Sequence, residues 1–429
     1  MGVSTHKSTK PLQVNPFKLS APMGATLAFL GVDRCMPLMH GSMGCTSFTK
    51  VFFTRHFCEP VAIQTTAVTD VTAILDGGDY SIVESVKNIT KKVTPSLIGL
   101  HTTGLTETKG DDIRGVASKI DFPLVHVNTP DYEGGLESGW AAATKAMIEQ
   151  LVTEVSEATA GKAILLPHVS LQPIEVEKIK ELIASFGYEV AALPDLSTSL
   201  DGHLGEKQAA LSSGGIAPET IRNLAEAELV VSVGDSMQVC ATALLKKNPA
   251  LKHLHLPHLQ GLAATDRFVS LLLEMSGRTT PPPEVARWRL RLQDALLDSH
   301  FSLGQSRFVV VGEPDQLAGL CALLREAGGR IVLALSTVDS TQLAAIEAEK
   351  VMVGDLEDVE DLTADWDLIV GNFHTEALAH RLQKGCMLRG LPNWEEVGNA
   401  LKNDSLYEGS AYFLFEAANA AEQQRRHRS

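Results

Sequence analysis

Short apolar, β-branched runs alternate with stretches of helical periodicity along almost the whole chain. Candidate strands are Ser96–Leu100, Pro123–Val127, Ala163–Leu166, Glu189–Leu193 and Glu228–Val233, then Arg307–Val311, Arg330–Leu335, Lys350–Val353 and Asp367–Val370. They are nearly continuous in apolar residues rather than alternating, which is the pattern of parallel strands covered by helices on both faces. The strands fall into three groups. A helix-rich, charged stretch near 140–160 separates the first two, and Gly277 to Leu303 separates the last two, with Pro281-Pro282-Pro283 opening a proline-started connecting helix. The pattern predicts an α/β protein of three Rossmann-like domains with parallel sheets flanked by helices. The expected domains are 1–150, 151–280, and a connecting helix plus C-terminal domain at 281–429. The polar end, Gln423 to Ser429, reads as a frayed tail.

Composition narrows the partners. With 429 residues, 44% of them hydrophobic, the chain can fill about three cores at roughly 150 residues each. Its 37 Lys and Arg against 52 Asp and Glu leave a net charge of −15, which repels phosphate backbones, so nucleic acid is not an expected partner. The six cysteines are scattered with no C-x-x-C pair, the usage of a reducing compartment rather than of a disulfide framework. The N-terminus is polar and no run reaches the length of a membrane span, so a cytoplasmic location without membrane contact is expected. His6 stands where a myristoylation signal wants Ser or Thr. Ser212-Ser213-Gly214-Gly215 and Val233-Gly234-Asp235 offer glycines, but neither forms a nucleotide-phosphate motif.

Three segments could carry chemistry. In His40-Gly41-Ser42-Met43-Gly44-Cys45, the glycines permit close approach to a bulky ligand. A helix expected to run to about Phe57 places Cys45 at or just before its N-terminus, where amides and dipole favour a thiolate. Gly44 and Cys45 are therefore candidate cluster-binding residues; the competing reading is an inert cysteine in a tight turn. The loop His101 to Asp112 follows a strand and is placed to face the Cys45 loop, with Asp111 or Asp112 capping the next helix; an ordinary strand-to-helix connection is the alternative. His253, His255 and His258 have H-x-H-x-x-H spacing, which suggests either a zinc hydrolase site or a strand end with unrelated histidines.

The ordered segments Ala21-Pro22-Met23-Gly24-Ala25, Cys35-Met36-Pro37, His40 to Cys45, Arg55-His56-Phe57, His101 to Glu107 and Gly110-Asp111-Asp112 resemble the nitrogenase component 1 superfamily. With Leu193 to Leu204 and Gly261 to Asp266, the likeness runs from about Pro11 into the C-terminal domain. It is strongest to β-subunit-like members that assemble the iron–molybdenum cofactor. Catalytic β subunits use three loop cysteines on the P-cluster; the matching positions here are Ser20, Cys45 and Gly104, and the Thr129–Gly135 loop carries glycine in place of a cluster-contacting serine. The resemblance thus implies a scaffold rather than an enzyme. Cys45 would be the metal ligand this chain gives to a 4Fe-4S cluster shared with a partner subunit, NifE, in an α2β2 heterotetramer. It further implies a transient iron–molybdenum cofactor precursor derived from NifB, matured with molybdenum and homocitrate with the help of the nitrogenase Fe protein, and passed to apo-nitrogenase. The alternatives are a catalytic nitrogenase β subunit or a protochlorophyllide-reductase-like subunit.

Overall fold

Each predicted apolar run forms a strand, and the strands assemble into three sheets in which every pairing is parallel. The computed structural model describes residues 5–8, 15, 17–68, 78–202, 210–394 and 396–428. Pro11, His203 and Leu204 of the quoted segments lie outside these residues.

A short first strand, β1 (Thr5–Lys7), is followed by the first unit: α1 (Ala21–Leu30), β2 (Cys35–His40), α2 (Met43–Phe57), β3 (Gln64–Thr65), α3 (Asp79–Lys92), β4 (Leu97–Thr102), α4 (Gly104–Lys109), α5 (Ile113–Ala117), β5 (Leu124–Val127) and α6 (Leu136–Leu151). Its sheet has the order β3-β2-β4-β5. The pattern of β-branched runs misses β2, because Cys-Met-Pro-Leu-Met-His has no β-branched residue and carries a proline. All six of its residues are nonetheless buried, and β3 pairs only with Leu38 and Met39. Helix α1 is buried on every side, as an apolar-all-round helix must be. It lies against α6 so closely that a Cβ on Gly24 would collide with the Leu136 carbonyl oxygen, and one on Gly139 with that of Ala21.

The second unit comprises β6 (Thr159–Leu166), α7 (Pro173–Ser185), β7 (Glu189–Ala192), α8 (Pro218–Arg222), β8 (Ala227–Val233), α9 (Gln238–Lys247), β9 (Lys252–Leu256) and α10 (Leu262–Ser276), with sheet order β7-β6-β8-β9. The proline-started helix α11 (Pro283–Leu303) leads to the third: β10 (Arg307–Val311), α12 (Pro314–Glu326), β11 (Arg330–Ser336), β12 (Lys350–Val353), α13 (Leu356–Glu360), β13 (Leu368–Gly371), α14 (Phe373–Arg381), β14 (Gly385–Leu388) and α15 (Leu406–Arg428). This sheet has the order β1-β12-β11-β10-β13-β14, so the N-terminal strand closes its edge across the whole length of the chain.

The expected frayed tail is not observed: Gln423 to Arg428 continue α15. Gln424 is buried and its amide donates to Gln383 O at 2.7 Å, while Arg425 Nη1 donates to Ser302 O at 3.1 Å. Polar residues can sit in a docked helix when backbone carbonyls of neighbouring elements take their hydrogen bonds. Among the described residues no helix is long and apolar enough to cross a membrane.

Candidate functional site

In parallel sheets the loops that carry chemistry lie beyond the carboxyl ends of the strands. At that edge of the first sheet, β2 ends at His40 and the chain turns through Gly41 and Ser42 into α2, whose third residue is Cys45. The next loop grips this turn: Thr103 Oγ1 and Thr106 Oγ1 both donate to the His40 carbonyl, at 3.1 and 2.9 Å. The His101–Asp112 loop therefore does face the Cys45 loop. The His40 ring is buried between Thr66 Oγ1 at 2.8 Å and Asp111 Oδ2 at 2.9 Å, and burial lowers its pKa despite the aspartate. Asp111 anchors His40, and Asp112 is the helix cap, accepting from Gly115 N at 2.9 Å. His101 is an internal brace whose Nε2 meets Thr26 Oγ1 of α1 at 2.8 Å; burial depresses its pKa to about 4.

Cys45 is exposed, and the Ser42 hydroxyl donates to its sulfur at 3.3 Å. It lies in the first turn of a fifteen-residue helix, where backbone amides lack intrahelical acceptors. Around the Cβ position of Gly44 the nearest atom is Ser42 Oγ at 3.8 Å, so the ground beside the thiol is clear. None of the other cysteines shares this setting. Cys35, Cys240 and Cys321 are buried, and burial raises all three thiols, Cys321 to about 12. Cys386 is raised to about 11 for the same reason. Cys58 is exposed but ends α2 at the far side, in a left-handed C-cap.

Ser20 is the N-cap residue of α1, and Gly104 opens α4. Gly104 N donates to Asp131 Oδ2 at 2.9 Å, and a Cβ at Gly104 would stand 3.0 Å from that oxygen. Asp131 thus brings a carboxylate from the β5–α6 loop to this edge. Sequence reasoning missed it, since a lone aspartate in Thr129–Gly135 carries no spacing signal. The same edge exposes apolar side chains: Met43 at 53%, Leu105 at 42% and Tyr132 at 61%. Exposed apolar groups gathered on adjoining loops are a feature of interaction surfaces.

The histidine triple does not form a metal site. His253 Nε2 and His255 Nδ1 share the Ser232 hydroxyl at 2.8 and 3.0 Å, and His255 Nε2 pairs with Asp235 Oδ1 at 2.7 Å. His258 lies past the end of β9 with an unpartnered Nδ1. Among the described residues no group of three or more His, Cys, Asp or Glu is arranged to hold a metal ion. Strand periodicity puts His253 and His255 on one face two residues apart, and the chain leaves that strand before His258.

Comparison with known proteins identifies the family. Residues 20–422 match the family model described as nitrogenase component 1 type oxidoreductase. The chain is 38% identical to a protein of Rippkaea orientalis named nitrogenase iron-molybdenum cofactor biosynthesis protein NifN, over 96% of this chain and 94% of that one. A protein of the same name from Mesorhizobium japonicum is also 38% identical, with 96% and 92% covered. A solved structure described as nitrogenase Cp1 at pH 6.5 superposes with a TM-score of 0.92 at 27% identity, covering 98% of this chain and 96% of that one. From the ordered loops, the three parallel sheets and these matches, the chain belongs to the nitrogenase component 1 family, in its NifN group.

Proposed function

We propose that this chain is the β-like subunit of a scaffold on which the iron–molybdenum cofactor precursor of nitrogenase matures before transfer to apo-nitrogenase. Cys45 supplies one thiolate to a 4Fe-4S cluster shared with the α-like partner NifE in an α2β2 heterotetramer. One observation carries this reading: Cys45 is the single cysteine on the loop edge of the first sheet, exposed, with clear ground at Gly44 and exposed Met43, Leu105 and Tyr132 around it. The relatives' names supply the process, cofactor biosynthesis.

The residues fit a shared cluster and not a resident one. A cubane cluster takes four protein ligands. Cys45 gives one, Gly104 has no side chain to give, and Ser20 has a hydroxyl where catalytic β subunits use a thiol, so three ligands come from across the subunit boundary. The bound cluster supplies one-electron transfer. The chain's own part is to anchor one iron through Cys45 Sγ. The Ser42 hydroxyl donates to that sulfur, and the thiol stands in the first turn of α2, where the helix dipole favours negative charge. The nitrogenase Fe protein docks over both subunits on the face above α2, and the NifB-derived precursor resides mainly in the partner. Two missing thiolates speak against a catalytic β subunit.

Anaerobic co-expression with NifE, followed by iron, sulfide and molybdenum assay, tests the reading. The pair is expected to carry a stoichiometric cluster and the chain alone little iron. A complete cluster on the isolated chain, or an iron-free pair, overturns it.

A further inference from the structure

The carboxyl edge of the second sheet is built in the opposite way. Its order β7-β6-β8-β9 reverses between β6 and β8, and in such sheets the crevice at the reversal is the usual ligand site. After β8 the chain turns through Gly234, at φ +90°, and the next two amides converge on a carboxylate. Asp235 N donates to Asp315 Oδ1 at 2.8 Å, Ser236 N to Asp315 Oδ2 at 3.3 Å, and the Ser236 hydroxyl to Oδ2 at 2.5 Å. Asp315 belongs to the first turn of α12 in the third unit. A Cβ on Gly234 would stand 2.5 Å from its Oδ2, so the glycine admits it. Behind it, Asp315 N donates to Glu137 Oε1 of α6 in the first unit at 2.7 Å. One aspartate therefore joins all three units. His168, just past β6, is 2% exposed with neither ring nitrogen partnered, and its Cβ lies 2.8 Å from the Gly234 Cβ position.

Successive amides and a hydroxyl aimed at one oxyanion are the means by which folds of this class hold phosphate or sulfate groups. We propose that the Gly234–Ser236 turn is an oxyanion-binding turn kept occupied by the chain's own Asp315, an anionic latch that holds the third unit on the first two. The groups facing the latch are Glu137 from α6, Glu313 from the β10–α12 turn, and Asp235 after β8, itself bonded to His255 of β9. Lys18 is the cation beside Glu313. Burial raises Asp315 to about 6 and Glu313 to about 7, and puts Glu137 well above the ordinary carboxylate range. Asp315 has three donors and Glu137 a single amide, so the negative charge rests on Asp315 and the proton on Glu137. Folded values above the unfolded ones mean that ionising these buried carboxyls costs stability, which falls as pH rises from the unfolded carboxylate pKa of about 4 through 6 to 7; the three donors to Asp315 offset part of that cost for the charged latch.

The test uses the full-length chain and three proteins: wild type, Asp315→Ala, which empties the turn, and Asp315→Asn, which fills it without charge. Thermal midpoints and the rate of limited proteolysis are read in sodium sulfate against sodium chloride at matched ionic strength. The alanine variant should unfold several degrees lower and be cleaved faster, and sulfate should return more of its lost midpoint than it adds to wild type or to the asparagine variant. An equal sulfate effect on all three makes Asp315 an ordinary packing residue and overturns the proposal. Should the alanine variant fail to fold, Glu137→Gln decides. It keeps the acceptor but removes one titrating carboxyl, so the wild-type fall in midpoint between about pH 6 and 7 should shrink. An identical dependence of the midpoint on pH in wild type and Glu137→Gln also overturns the latch, because the buried histidines contribute equally to both.

Discussion

Two sheet edges of the same kind meet opposite fates in this chain. At the first, the loops after β2, β4 and β5 end in an exposed thiol, an empty glycine position and apolar side chains in water. At the second, the turn after β8 is filled by a carboxylate from 80 residues further along the chain, with both amides and the hydroxyl engaged. The parallel α/β frame raises ligand-binding loops at both places. What distinguishes them is whether the chain itself provides the occupant. An edge the chain has plugged contributes to its own stability, whereas an edge left open contributes to assembly. Substitutions at the open edge should therefore be read in iron and partner binding, and those around the closed frame in unfolding.

The largest effect is expected at the open edge. In the proposed complex with NifE, Cys45→Ala should remove or convert the proposed interfacial cluster, lowering the iron count and altering the paramagnetic resonance signal. It should change the unfolding free energy of the chain by no more than about 0.5 kcal/mol, because the side chain is exposed. Cys35→Ala is the control with the opposite profile: a cost of about 1 kcal/mol from the first core, with iron unchanged. Loss of the signal in Cys35→Ala and its retention in Cys45→Ala would reverse the assignment.

Next in size is the frame that sets the two edges relative to each other. Gly24→Ala drives a methyl into the backbone carbonyl of Leu136, and neither α1 nor α6 can yield, because α1 is buried all round. The expected cost is on the order of 4 kcal/mol or more, seen as loss of soluble chain or a collapsed urea midpoint. A midpoint close to wild type would show that the two helices can slide apart.

A smaller, pH-dependent effect comes from His101, the brace between β4 and α1. Its folded pKa of about 4 lies below the ordinary 6.5, so the native chain refuses a proton that the unfolded chain takes. Stability is complete above 6.5 and is lost as pH falls toward 4, by an amount on the order of 3 kcal/mol at about 1.4 kcal/mol per unit. His101→Gln should make the urea midpoint fall less steeply between these limits, though not flatten it, since buried His56 and His168 are shifted in the same direction. An unchanged slope would remove His101 from the acid response.

These outcomes depend on features that the sequence discloses unequally. The three-sheet frame is legible because nearly continuous apolar strands announce themselves, and Cys45 stands out through its glycines and the helix behind it. The strand β2 is hidden by proline and methionine, and its existence follows only from what packs around it. Asp131 and Asp315 illustrate a deeper limit. Each acts on residues that are remote along the chain, Asp131 on Gly104 and Asp315 on Asp235 and Ser236, and no local period connects them. The histidine triple fails in the reverse sense, because its spacing resembles a metal motif while the strand carries two rings to one hydroxyl and drops the third. Spacing reports chemistry only when the backbone between the residues is also known.

The smallest effect sharpens the contrast between the two ends of α2. Cys58 is exposed like Cys45, but it terminates the helix with φ +55°, a conformation that glycine adopts without cost and other residues resist. Its N–H still closes the helix on the Thr54 carbonyl, and that bond does not depend on the side chain. Its sulfur has only a distant backbone contact, to Arg55 O at 3.7 Å, so little is lost with the thiol. Cys58→Gly should therefore stabilise the chain by a few tenths to about 1 kcal/mol in urea unfolding, after the extra freedom of glycine in the unfolded chain is subtracted. Iron content and the cluster signal of the complex should be unchanged. Loss of iron in Cys58→Gly would mean that an exposed thiol at this far end of α2 serves the cluster after all, and that the loop edge is not the sole source of ligands.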